Sequence, residues 1–81
     1  MKLVVKAVEE GLRRPGAIVE IKVCKGGEWI STVWGDRVEK RPASVNVYSQ
    51  NQLIGMFWFA DVEITPEAER LMQISKVEAL A

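Results

Sequence analysis

The chain has 81 residues, enough for one small domain, and 48% of them are hydrophobic, which excludes an intrinsically disordered chain. No apolar run reaches the roughly 18 residues of a membrane-spanning helix, and Glu9 and Glu10 interrupt any signal-like N-terminus. A single cysteine excludes a framework of internal disulfides and is typical of a reducing compartment. We therefore expect a single cytoplasmic domain over residues 1–81 with no membrane association.

Charge is balanced overall but unevenly distributed. The chain carries 11 basic and 11 acidic side chains, a formal net charge of zero. Residues 1–41 have nine Lys or Arg against six Asp or Glu, whereas residues 42–81 have two against five. Such a distribution predicts a dipolar surface that steers head-to-tail contacts or holds a polyanion. The simpler interpretation is that these charges only keep exposed faces in water.

The first segment, MKLVVKAVEEGLRR, alternates poorly as a strand because its lysines share a side with two valines. As a helix it has a clean apolar stripe, formed by Met1, Val4, Val5, Val8 and Leu12. Pro15-Gly16 then ends it. We predict a helix over residues 3–14, with a strand over residues 2–8 as the alternative.

The middle of the chain has the alternation of a β-sheet. Residues 17–25 alternate well, Gly26-Gly27 predicts a tight turn, and residues 28–34 return as a second strand. Residues 36–42, DRVEKRP, are predicted to be a charged connection. Two further strands are predicted over residues 43–49 and residues 53–64, the last bent near Gly55.

A helix is predicted to follow the sheet. Thr65 is a suitable N-cap, Pro66 suits the first helical position, and acidic residues occupy the first turn. Its predicted inward stripe is Ala68, Leu71, Met72 and Ser75.

These elements predict an α+β domain of two layers. An antiparallel meander of three or four strands would be flanked by an N-terminal and a C-terminal helix, because short connections favour pairing of sequential strands. If residues 2–8 form a strand instead, the alternative is a small closed β-barrel with a C-terminal helix.

The residues that usually perform catalysis are scarce. The chain has no histidine, so the commonest general base and metal ligand is missing, and Cys24 stands alone. Asp61 and Glu63 share a strand face, but a domain this small has little room for the cleft that a pair of catalytic carboxylates needs. We expect no enzyme activity, no metal site and no cofactor.

The stretch LIGMFWFADVEI, residues 53–64, has apolar side chains on both faces if it is a strand. The predicted strand that contains Trp34 is also apolar on both faces. Two helices on one side leave the other face open, and an exposed apolar patch normally marks an interface. Alternation assigns Leu53, Phe57 and Phe59 to the open face, and Trp58 to the core. We predict a homodimer or another protein partner held by Leu53, Phe57, Phe59 and Trp34. The alternative to a partner is that the chain covers this second face itself, either with one helix on each face of the sheet or by coiling of the sheet.

A different function is suggested by the basic residues. Arg37, Lys40 and Arg41 cluster in the charged connection, and Lys22 and Lys25 lie on the neighbouring hairpin. With Trp34 and Tyr48 as stacking surfaces, they predict binding of nucleic acid or another polyanion. A small-molecule pocket between protomers is a third hypothesis, without a feature that names a ligand. We favour the non-enzymatic, self-associating module.

Overall fold

A computed structural model describes the backbone of residues 1–80 and the side chains of residues 1–73. The described chain contains seven strands, one 3-10 turn at Glu10–Leu12 and one C-terminal helix, α1, at Pro66–Leu80. The strands are β1 (Lys2–Ala7), β2 (Val19–Lys25), β3 (Glu28–Gly35), β4 (Arg37–Lys40), β5 (Ser44–Ser49), β6 (Gln52–Trp58) and β7 (Asp61–Ile64).

The strands form two sheets. The first has the order β3-β2-β1-β7, in which β1 and β7 run parallel and the other neighbours run antiparallel. The second is an antiparallel sheet with the order β4-β5-β6. Strands β3 and β7 are therefore the edges of the first sheet, and β4 and β6 are the edges of the second.

One hydrophobic core lies between the sheets. The alternating inward residues of β1, β2 and β5 meet there, and α1 contributes one small side chain. The buried members are Leu3, Val5, Val19, Ile21, Val23, Val45, Val47 and Ala68. Because the inner faces of both sheets share this core, their outer faces point in opposite directions.

The predicted N-terminal helix is wrong. Residues 2–7 are β1, hydrogen-bonded between β2 and β7, and its inward residues Leu3 and Val5 have no exposed surface. The residues of the predicted helical stripe do not share one environment, because Val5 is buried whereas Leu12 at the end of the stripe is exposed. Pairing with two neighbouring strands stabilises residues 2–7 more than the local helical pattern does, and the two β-branched valines of β1 favour the extended form.

The α+β two-layer prediction is wrong for the same reason, since the second layer is a sheet and α1 is the one helix in residues 1–80. The closed-barrel alternative required a strand at residues 2–8, which largely exists. However, the two described sheets remain separate and do not close into a barrel.

The charged connection over residues 36–42 contains a strand that the sequence did not predict. β4 pairs with β5, and its arginine and glutamate side chains point outward while Val38 faces the core. The turn from β3 into β4 brings the two sheets together at Gly35. A Cβ there would stand 2.6 Å from the carbonyl oxygen of Tyr48, so a side chain does not fit.

The predicted fourth strand, residues 53–64, is two strands in different sheets. β6 ends at Trp58, and Phe59 takes a φ of 54°, a left-handed conformation that breaks the extended chain. The chain then crosses to the first sheet, where β7 pairs in parallel with β1. The predicted bend near Gly55 corresponds to a β-bulge, in which Ile54 has no opposite residue on β5.

The prediction of the C-terminal helix is confirmed at its start. The amide of Ala68 donates to Oγ1 of Thr65 at 3.3 Å, which is the expected N-cap contact. Ala68 is fully buried and Leu71 and Met72 are half-buried, whereas Ser75 lies outside the described side chains. Within residues 1–80, no helix is long and apolar enough to cross a membrane.

Candidate functional site

Exposed apolar side chains concentrate on β6. Ten large hydrophobic residues in the described chain are exposed, and half of them fall within residues 53–59. Four of these five lie on β6, namely Leu53, Ile54, Met56 and Trp58, and the fifth, Phe59, directly follows the strand. Single exposed apolar residues are ordinary, but a contiguous group on one strand marks a surface that meets a partner.

The register with β5 determines which face of β6 each residue occupies. Phe57 lies opposite Val45, whose side chain is buried in the core, and Phe57 packs against that core. Trp58 lies opposite Ser44, so its side chain projects from the outer face, where it is 59% exposed. Met56 shares the outer face with Trp58 because it lies two residues away.

The face assignment from sequence is therefore reversed for Phe57 and Trp58. A regular hairpin around Gln50-Asn51 places Met56 opposite Val45 on the core face, as the sequence alternation indicated. The bulge at Ile54 inserts one residue, so that Phe57 occupies this place instead. A shift of one residue moves every following side chain to the other face. The exposed residues that the sequence missed are thus Ile54, Met56 and Trp58.

The other predicted interface residues are exposed. Leu53 lies on β6, and Phe59 follows it with 84% of its surface exposed. Trp34 is exposed on β3, in the other sheet. It does not join the β6 group, and contact of Leu53, Phe59 and Trp34 with a partner stays a prediction.

Beside β6, the outer face of β5 is polar and largely covered. Ser44 and Asn46 are both buried, although their side chains belong to the outer face. The Oδ1 atom of Asn46 is inaccessible to solvent and has no hydrogen-bond partner among the described residues. A buried carbonyl oxygen without a partner carries the full cost of its lost hydration.

Beyond β5, strand β4 carries a ladder of charges. Glu39 accepts a hydrogen bond from Nε of Arg41 at 2.7 Å and lies 3.6 Å from a guanidinium nitrogen of Arg37. The Arg37 guanidinium also stacks 4.1 Å from the centre of the Tyr48 ring. The outer face of the second sheet is therefore charged along β4 and apolar along β6.

The basic residues of the polyanion hypothesis are not brought together. Lys22 and Lys25 belong to β2, in the first sheet, where the Lys22 ammonium lies 4.9 Å above the ring of Trp29. Arg37 points outward from the second sheet, in the opposite direction. Lys40 is exposed, but Glu39 partly neutralises its neighbours Arg37 and Arg41.

A shallow groove of about 500 Å³ opens beside Trp34. Its apolar wall includes Val8, Leu12 and Ala17, and its rim carries acidic and basic side chains. The groove is partly open to solvent, and its lining lacks the convergent set of buried polar groups that a specific small-molecule site usually has.

Carboxylates and the lone thiol do not form a reactive cluster. Glu63 is exposed and pairs with the Lys2 ammonium at 3.1 Å, and Asp61 is exposed at the start of β7. Cys24 is half-buried on the outer face of the first sheet. The described residues contain no group of three or more potential metal ligands.

Comparison of the chain with protein-family models, with curated proteins and with solved structures found no significant match.

Proposed function

We propose that this protein is a non-enzymatic, self-associating module that forms a homodimer through β6. The observation that supports the proposal is the character of this edge strand. Its backbone pairs with β5 on one side, and no described strand pairs with the other side. Its outer face is occupied by large apolar side chains.

β6 lacks the charges and the proline that often protect sheet edges against pairing, and its bulge at Ile54 interrupts only the first part of the strand. Natural edge strands usually carry charges, a proline or inward-pointing lysines. The seven residues of β6, QLIGMFW, include none of these. The opposite edge strand of this sheet, β4, by contrast carries Arg37, Glu39 and Lys40. The difference between the two edges of the same sheet favours pairing through β6.

Energetics support association of identical copies. Full burial of a large apolar side chain contributes about 1.5–3 kcal/mol, so several such residues on one strand can stabilise a dimer. The formal net charge of zero means that two copies do not repel each other through net charge. As part of the same proposal we assign the protein to the cytoplasm, because its one cysteine has no partner for an internal disulfide.

Light scattering coupled to size-exclusion chromatography tests the proposal. The wild-type protein is expected at twice the 9.1 kDa mass of one chain. Trp58→Asp should give a folded monomer, because it places a charge in the proposed contact. Trp29→Asp is the matched control, since Trp29 has a similar exposure, 63%, but lies on β3. A monomeric wild type, or equal loss of mass in both variants, contradicts the proposal.

A further inference from the structure

We infer that the β6 strands of two copies pair antiparallel about a two-fold axis at Phe57, forming one continuous six-stranded sheet. The inference rests on the proposed function and specifies the contact. Two observations support it. The first is the direction of the backbone N–H and C=O groups of β6, and the second is the short regular segment between the bulge at Ile54 and the left-handed residue Phe59.

The hydrogen bonds of the second sheet determine which backbone groups of β6 are free. Carbonyl oxygens of Ser44 and Tyr48 accept from the β4 side, from Arg41 and Asp36. Backbone groups alternate in direction along a strand, so those of Val45 point toward β6. Val45 therefore pairs through hydrogen bonds with the residue opposite it, which is Phe57.

A second contact gives the same direction. The amide of Phe59 donates to the carbonyl oxygen of Ala43 at 3.1 Å, so Phe59, like Phe57, is directed toward β5. The intervening residue Trp58 and its neighbour Met56 must then direct both their N–H and C=O groups to the free edge. These two residues offer two donors and two acceptors to an added strand.

The usable edge is short on both sides. The bulge at Ile54 interrupts regular pairing before Gly55, and the left-handed conformation of Phe59 ends the extended chain after Trp58. Bulges twist an edge away from a new partner. An added strand can therefore pair regularly only with Met56, Phe57 and Trp58.

This short window determines the register of a symmetric pair. In an antiparallel pair with its axis at Phe57, Met56 lies opposite Trp58 of the second copy, and Trp58 lies opposite Met56 of the second copy. All four free donors and acceptors on each strand are then satisfied. The paired side chains stand on the outer face, where a thioether against an indole is a favourable contact.

An identical copy is the occupant that the edge fits because the window is self-complementary. The window contains no charged side chain. The free N–H and C=O groups of Met56 pair with those of Trp58 in the second copy, and the two-fold axis repeats the same pairing on the other side. The ring of Phe57 does not block the axis, since it lies over its own strand, with one ring carbon 3.3 Å from the position of a Cβ on Gly55.

Amide hydrogen exchange of the wild-type protein, followed residue by residue by NMR, tests the pairing without any substitution. The amides of Met56 and Trp58 should be protected at concentrations where light scattering gives a dimer, and should lose that protection on dilution to monomer. The amides of Phe57 and Phe59, bonded to β5, are the internal control and should keep theirs. Unchanged exchange of Met56 and Trp58 in a proven dimer overturns the β6 pairing while leaving self-association intact.

Cysteine cross-linking tests the register. In a Cys24→Ser background, Met56→Cys and Trp58→Cys are prepared as separate proteins, mixed and oxidised. Residues directly opposite each other have Cβ atoms about 4.5–5.5 Å apart, whereas diagonal neighbours are about 7–8 Å apart. A disulfide-linked dimer should form in the mixture and not in either protein alone.

The remaining outcomes separate the two proposals. Cross-linking of Met56→Cys with itself places the axis at Met56 and overturns the register. Ile30→Cys, at an exposed apolar position on the other sheet's edge strand β3, is the control, and its cross-linking would assign the contact to β3. A wild-type protein that is monomeric at every concentration overturns both the pairing and the proposed function.

Discussion

Phe57 lies directly opposite Val45 across the second sheet, and both side chains face the core, while the next residue, Trp58, lies opposite Ser44 and faces outward. One strand thus carries a structural aromatic residue and an exposed one side by side. The two rings should contribute to different properties of the protein.

We expect Phe57→Ala to lower the free energy of unfolding by about 2 kcal/mol, less than a fully buried phenylalanine costs because Phe57 is half-buried. Trp58→Ala should change the stability of the monomer by about 0.5 kcal/mol or less. Urea unfolding at concentrations below dimer formation measures both. Equal losses in the two variants would contradict the assignment of their faces.

Removing the bulge should be tolerated. Ile54 has no opposite residue on β5, so deletion of Ile54 lets Leu53 and Gly55 follow each other in regular pairing and keeps Phe57 opposite Val45. We expect a folded protein with a cooperative thermal transition. Insertion of one alanine between Gly55 and Met56 is the control, because it lengthens the strand by a residue and moves Phe57 off the core face, and it should unfold the domain. Similar behaviour of the deletion and the insertion would argue against the bulge.

The Oδ1 atom of Asn46, which has no hydrogen-bond partner among the described side chains, predicts a stabilising substitution. Replacement by a β-branched apolar residue, Asn46→Val, removes the buried Oδ1 atom and should raise the free energy of unfolding by about 1–2 kcal/mol. Asn46→Asp buries a charge at the same place and should be destabilising. Chemical denaturation compares the three proteins, and a loss of stability in Asn46→Val would mean that the amide has a partner in solution.

Local signals in the sequence predicted the elements whose neighbours are close in the chain. Gly26-Gly27 predicted the first hairpin, and both residues have the positive φ that such a turn requires. Thr65-Pro66 predicted the start of the helix because a cap acts within one turn. These structures depend on interactions over a few residues.

Other features depend on distant segments. β1 pairs with β7, more than fifty residues away, and this pairing decided against a locally plausible helix. The charged residues of β4 indicated a loop rather than a strand. They are compatible with a strand because one face of β4 is exposed to solvent.

The sequence by itself determined that this chain has more large apolar residues on β6 than one side of a strand can hold, because alternation along a strand is a property of the covalent chain. Which of them face solvent was decided only in the tertiary structure. A single inserted residue, Ile54, is accommodated as a bulge against β5, and this shift of one position turns Phe57 into the core and Trp58 outward. Period-two alternation is preserved by such a shift, so the pattern alone does not reveal it.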